Sequence, residues 1–144
     1  MRKEVYSKVL VATDGSECAR KALESAIKIV KASNGSLTII HVLQIPRTVG
    51  FGKKLTPEIL LFYRRDAKAF LAEQQREVEL HGIKADILLR EGSPAKAILN
   101  AAKAMNADLI VMGSRGLGGV KELFLGSVSN AVVHSSKISV LITK

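Results

Sequence analysis

Residues 108–130 read DLIVMGSRGLGGVKELFLGSVSN. Asp108 to Met112 is an apolar run of strand length. Gly113, Gly116, Gly118 and Gly119 then loosen the chain. After Gly126-Ser127, the residues Val128, Ala131 and Val132 recur at helical spacing. A strand, a glycine-rich loop and a helix in that order is half of a βαβ crossover. The loop has two readings. Its glycines permit φ > 0 and close backbone approach, and a helix start presents unpaired N–H groups and the positive end of the helix dipole to an anion. The hydroxyls of Ser127 and Ser129 can donate, and Arg115 and Lys121 add positive charge. That is a phosphate cradle. The other reading is a connecting turn with no ligand. The standard nucleotide patterns do not decide it: Gly119 occupies the lysine position of G-x-x-x-x-G-K-[ST], and no G-x-G-x-x-G follows a strand.

Outward from this stretch the same alternation covers the chain. KVLVAT (8–13), SLTIIHV (36–42), KADILLR (84–90), ADLIVMG (107–113) and ISVLITK (138–144) are strand-length apolar runs. Runs apolar on both faces suit a parallel sheet covered by helices on each side. Between them lie amphipathic segments. Ser16 is placed to cap a helix carrying Ala19, Ala22, Leu23, Ala26, Ile27 and Val30 on one face, and Asn34-Gly35 ends it. A second helix spans Pro57 to about His81, stopped at His81-Gly82. Ser93-Pro94 opens a third, with Ile98, Ala101, Ala102 and Met105 inward. The order β-α-β-α-β-α-β-α-β predicts an open five-stranded α/β sheet with right-handed crossovers. The expected strand order is 3-2-1-4-5, with helices on both faces and residues 1–144 forming one domain. The segment LQIPRTVGFGKKLT (43–56) reads as a mobile surface loop.

Composition narrows the function classes. The chain has 144 residues, 47% of them apolar and 4% aromatic, so the core is aliphatic and disorder is excluded. No apolar run reaches a membrane span, and the start lacks a signal-peptide core because Asp14 interrupts it; a cytoplasmic protein is expected. A single cysteine, Cys18, excludes an internal disulfide. The net charge of +9 points to an anionic partner or to a lysine-rich surface. Basic residues are scattered and stacking aromatics are few, which argues against nucleic acid. In a sheet of order 3-2-1-4-5 the winding reverses between strands 1 and 4, and ligands bind beyond the carboxyl ends there. TDGS (13–16) and the glycine-rich loop meet at that point.

The spacing Gly113, two residues, Gly116, nine residues, Gly126-Ser127 is G-2x-G-9x-G-[ST]. It resembles the ATP-binding branch of the universal stress protein family. VLVATDGSECARKAL resembles that family's first strand and helix, EGSPAKAILNAAKAMNADLIVMGSRG its third helix and fourth strand, and LGSVSNAVVHSSKISVLITK its terminal helix and strand. The resemblance implies a Rossmann-like fold with an adenine nucleotide, ATP or AMP, in the crevice. It places Ala12, Thr13 and Asp14 near adenine and ribose, and Val42 against the base. Met112, Gly113, Arg115 and Gly116 line the ribose and phosphates, and Gly126, Ser127, Val128 and Ser129 hold the phosphate chain. Asp14 can also help hold Mg²⁺ through the nucleotide; the competing role is a turn or helix cap. The resemblance further implies a homodimer through Ile138 to Lys144. Family members often carry proline at the turn into that strand, where this chain has Ile138-Ser139.

His41, His81 and His134 have no metal spacing and read as structural, as does Cys18; Lys53-Lys54 reads as solvated loop charge. No residue orients a water for phosphoryl transfer, so hydrolysis is expected to be slow at most. The leading expectation is a dimeric, nucleotide-dependent stress or regulatory switch with an unidentified protein partner. The alternatives are a dimeric interaction module without nucleotide, and an adenylyl-transferring enzyme. Within the loop, Val120, Leu123, Phe124 and Leu125 predict a partly packed span.

Overall fold

The computed structural model describes residues 5–46, 48–49, 52–117 and 124–144. Strands β1 (Lys8–Ala12), β2 (Ser36–Leu43), β5 (Ala85–Glu91), β6 (Leu109–Gly113) and β7 (Ser139–Thr143) form one parallel sheet in the order β5-β2-β1-β6-β7. In chain order this is the 3-2-1-4-5 arrangement expected from the sequence. Helices α1 (Glu17–Ser33), α2 (Pro57–Glu79), α3 (Pro94–Ala104) and α4 (Ser127–Ser135) connect the strands.

Strand alternation sorts the core into two layers. Val9, Val11, Leu37, Ile39, Leu109 and Val111 face α1 and α2, meeting Ala22, Leu23, Ala26, Leu71 and Val78. Leu10, Ile40, Ile110 and Met112 face α3 and α4, meeting Ile98, Ala101, Ala102 and Val132. Each fully buried Val, Leu or Ile contributes about 1.5–3 kcal/mol of transfer free energy. The central strands β1 and β6 are buried on both faces, which is why their sequences lack a polar alternation.

Helix ends follow the sequence with some changes of mechanism. Ser16 caps α1, its Oγ accepting from Ala19 N–H at 3.2 Å, and Asn34 closes the helix in the left-handed region at φ 53°. Gly35 is needed for space: a Cβ there would lie 2.3 Å from the Ser7 carbonyl oxygen. Ser93 precedes α3 with Pro94 at the first turn, yet its side chain makes no capping bond. Helix α2 stops at Glu79, with Gly82 at φ 77° in the following turn.

The segment 43–56 departs from the expected loop. Thr48–Val49 (β3) pairs antiparallel with Lys53–Lys54 (β4), so the two lysines belong to a small ribbon. The glycine-rich span also departs at one end. Val120, Lys121 and Leu123 lie outside the described residues, Leu125 is half-buried, and Phe124 is 70% exposed with Lys144 Nζ 4.2 Å above its ring.

Candidate nucleotide site

β1 and β6 are neighbours whose following connections leave toward opposite faces of the sheet, so a crevice opens beyond their carboxyl ends. A cleft of about 470 Å³ occupies it. Its walls bring together every site residue named from the sequence: Ala12, Thr13 and Asp14 after β1, and Val42 at the end of β2. Met112, Gly113, Arg115 and Gly116 come from the exit of β6, and Gly126, Ser127, Val128 and Ser129 from the start of α4. Apolar side chains of Ile40, Pro94 and Ile98 form the floor and one wall. Sequence reasoning did not name those three as site residues, nor, among others, His41, Ser114 and Leu117. Pro94 and Ile98 sit on α3, and no local motif ties α3 to the cleft; only the topology does.

Each motif glycine has a physical cause within the chain. A Cβ on Gly113 would lie 2.6 Å from Cys18 Cβ, 2.7 Å from Cys18 C and 2.9 Å from Ala19 N, so α1 rests against the end of β6. A Cβ on Gly116 would lie 2.5 Å from Asp14 Oδ2. A Cβ on Gly126 would meet the Ser114 carbonyl oxygen at 3.2 Å.

Asp14 ties the two loops together. Its Oδ1 accepts from Ser16 N–H at 2.9 Å and its Oδ2 from Leu117 N–H at 3.1 Å. The capping role weighed from the sequence is therefore present, extended across the cleft to the glycine-rich loop. Ser129, only 2% exposed, donates its hydroxyl to the Ser114 carbonyl at 2.7 Å. Gly126 N–H donates to the same oxygen at 2.6 Å, and Ser114 N–H reaches Thr143 O at 2.7 Å. Ser114 thus joins β7, the β6 exit and the start of α4. The same hydroxyl lies 3.2 Å from Gly126 O, so here it bonds backbone carbonyls.

The start of α4 differs from those of α1 and α2. There Ser16 and Thr56 accept from Ala19 and Ile59 N–H. Gly126 has no side chain to do so. The first helical bond is Asn130 N–H to Gly126 O at 2.9 Å, so the N–H groups of Ser127, Val128 and Ser129 precede it and open at the cleft. With the helix dipole, such groups make a candidate anion site.

At the other end of the cleft the sheet leaves an unpaired edge. Thr13 N–H donates to Ile40 O at 3.0 Å and Gly92 N–H to Leu43 O at 3.1 Å. In a parallel ladder, N–H and C=O of one residue point to the same side, alternating along the strand. Ile40 and Val42 therefore turn toward β1, and β1 ends before Val42. No rung from Thr13 or Gly15 to Val42 is present among the described residues. The Val42 N–H and C=O face the crevice as a donor beside an acceptor.

His41 keeps a structural contact: its Nδ1 bonds the Thr13 carbonyl at 2.8 Å, and its ring meets Phe70 edge-on at 5.1 Å. Among the described residues no group of three His, Cys, Asp or Glu side chains is arranged to hold a metal. No described helix is long and apolar enough to cross a membrane. The turn into β7 lacks the family proline, and Ser136 shapes it, donating to Ile138 O at 2.8 Å and accepting from Ile138 N–H at 3.1 Å.

The family model described as "Universal stress protein family" matches residues 6–144. This chain belongs to the universal stress protein family. Universal stress protein YxiE of Bacillus subtilis is 34% identical, with 97% of this chain and 100% of that protein covered. Among solved structures, the universal stress protein UspA of Lactobacillus plantarum superposes with a TM-score of 0.82 at 24% identity, covering 99% of this chain and 100% of that one. At that identity the likeness carries the fold. A universal stress protein solved in complex with cAMP gives a TM-score of 0.72 at 28% identity, covering 97% of this chain and 98% of that one.

Proposed function

We propose that the cleft binds an adenine nucleotide, ATP or AMP, and that the protein is a nucleotide-dependent stress or regulatory switch. The observation that carries the reading is the pairing of two recognition elements in one cleft. The uncapped start of α4 suits phosphate, and the Val42 donor–acceptor pair suits the amino and ring-nitrogen edge of adenine. The family relative crystallised with cAMP supports the same ligand class. Arg115 brings positive charge to the phosphate end, and the apolar Ile40, Pro94 and Ile98 suit the base face. Asp14 retains acceptor capacity beyond its two backbone bonds and fits a role toward ribose or a nucleotide-bound Mg²⁺. Among the described residues, the phosphate end is lined by Gly113, Arg115, Gly126 and Ser127, groups that bind and orient, and the reading is a switch with slow hydrolysis at most.

A homodimer through β7 belongs to the same proposal. Leu141 on that edge strand and Val133 on α4 are 37% and 43% exposed, and an apolar edge left bare invites pairing. Mass spectrometry of small molecules released from freshly purified protein, with calorimetry against MgATP and AMP, tests the nucleotide. Adenine nucleotide in the released fraction and saturable binding are expected. No released nucleotide and no heat with either ligand would overturn it.

A further inference from the structure

Three strands, β1, β2 and β6, line the cleft, and one side chain meets the end of β1. Thr13 N–H still follows the β1–β2 ladder to Ile40 O. The next rung would run from Val42 N–H to the Thr13 carbonyl. That carbonyl instead accepts from the His41 side chain at 2.8 Å. A carbonyl can only accept, so the proton lies on Nδ1. Gly15 N–H, which could otherwise reach the Val42 carbonyl, turns to Thr13 Oγ1 at 3.4 Å. Phe70 of α2 packs edge-on against the imidazole at 5.1 Å, and the same ring lies 3.6 Å from the place of a Gly15 Cβ. The imidazole is thereby held from one side by α2 and spent on the β1 exit.

We propose that His41 is a positioning residue for the base subsite: its Nδ1–H bond to Thr13 draws the β1 exit out of the ladder and leaves the Val42 N–H and C=O to read an adenine edge. This rests on the nucleotide reading above. Adenine offers an acceptor at its ring nitrogen beside an amino donor, matching that pair. Hypoxanthine offers N–H beside carbonyl, the reverse pattern. His41, which also lines the cleft, therefore sets base selectivity through the Val42 edge.

Three variants separate the hydrogen bond from packing. His41→Phe keeps a ring against Phe70 and loses the donor. His41→Asn places an amide nitrogen at the Nδ1 position and can keep the bond. Phe70→Leu weakens the ring contact and leaves the bond. Calorimetry with AMP and with IMP reads selectivity, and thermal melts read stability. The wild type is expected to prefer AMP by about tenfold, and His41→Phe to lose most of that preference, in line with one or two net hydrogen bonds. His41→Asn should retain it within about threefold, and Phe70→Leu should melt earlier with the preference intact. Imidazole nitrogen NMR of the wild type should find the proton on Nδ1. A His41→Phe protein that keeps the full AMP preference overturns the proposal, as does an Asn variant no better than Phe. A wild type that binds AMP and IMP equally also overturns it while leaving nucleotide binding standing. A wild type that binds neither removes the proposed function itself.

Discussion

Replacing Gly113 with alanine tests whether the first motif glycine serves the ligand or the fold. The added methyl would fall 2.6 Å from Cys18 Cβ, 2.7 Å from Cys18 C and 2.9 Å from Ala19 N. Two of those atoms are backbone of the first turn of α1, so no side-chain rotation relieves the contact. Helix α1 or the end of β6 has to move by several tenths of an ångström. Both are pinned: Ala19 N–H to Ser16 Oγ, Thr143 Oγ1 to Cys18 O at 3.0 Å, and Ser114 N–H to Thr143 O. Overpacking of this kind costs about 1–3 kcal/mol, and a backbone partner places it in the upper half, about 2–3 kcal/mol. For 144 residues at about 2.1 cal/mol/K per residue, the unfolding entropy is about 0.3 kcal/mol/K. The melting temperature should then fall by about 7–10 °C. Differential scanning calorimetry of nucleotide-free protein measures this directly. A fall of less than about 2 °C would refute the packing argument. It would assign Gly113 to ligand approach alone.

Other substitutions probe the remaining contacts. Gly116→Ala meets only the end of the Asp14 side chain; it should cost little stability but break the Leu117 N–H bond and weaken nucleotide binding about tenfold by calorimetry. Ser129→Ala removes the buried clamp on the Ser114 carbonyl and should cost about 1 kcal/mol in denaturant melts, with Ser129→Thr recovering part of it. Gly126→Asp adds a charged cap at the start of α4 and should weaken AMP binding at least tenfold while the melting temperature changes little. There the capping gain of about 1 kcal/mol offsets the tight approach to Ser114 O. Arg64, hydrogen-bonded to Glu91 and in turn raised by it, holds the Glu91 carboxyl below the usual carboxylate range. Its contribution is therefore present above that range and fades as pH falls through the depressed value. Glu91→Gln should be slightly less stable than wild type at neutral pH, the difference shrinking as pH falls below the usual carboxylate range, read by paired thermal melts.

The strand runs were legible because β1 and β6 are apolar on both faces, which suits a helix-covered parallel sheet, and the strand order followed as the usual solution for five such strands. The ribbon at Thr48–Val49 and Lys53–Lys54 was not, since two-residue strands carry no periodicity. The cleft's lining along the chain was legible from one spacing, Gly113 through Gly116 to Gly126-Ser127. Its far wall was not: Pro94 and Ile98 reach it through the crossover from β5 to β6, a contact with no signature near either residue. The duties of single side chains were least legible. Ser129 reads as a phosphate donor from its position, and its hydroxyl bonds a carbonyl because Ser114 O lies within 2.7 Å. His41 reads as a strand histidine, and its bond to the Thr13 carbonyl has no sequence signature.

On the proposed reading, the glycine spacing marks anion binding indirectly. Gly113 admits α1 and Gly116 admits the Asp14 carboxylate. These contacts fix the β6 exit, and Ser114 at its centre holds Gly126 and Ser129 by its carbonyl. The result is that α4 begins at a residue with no side chain, facing the cleft, while α1 and α2 spend Ser16 and Thr56 on their own first turns. Hydroxyl caps occupy donors at those two helices; α3 also lacks a side-chain cap bond, and at α4 the glycine leaves the first-turn N–H groups beside the crevice. A chain that kept the glycines but moved a capping aspartate to position 126 would keep the fold and lose the phosphate end. A chain that kept Gly126 but lost Gly113 would lose the geometry that aims it. The motif's nine-residue gap sets how far apart those two requirements sit, which is why the spacing carries more information than any single glycine in it.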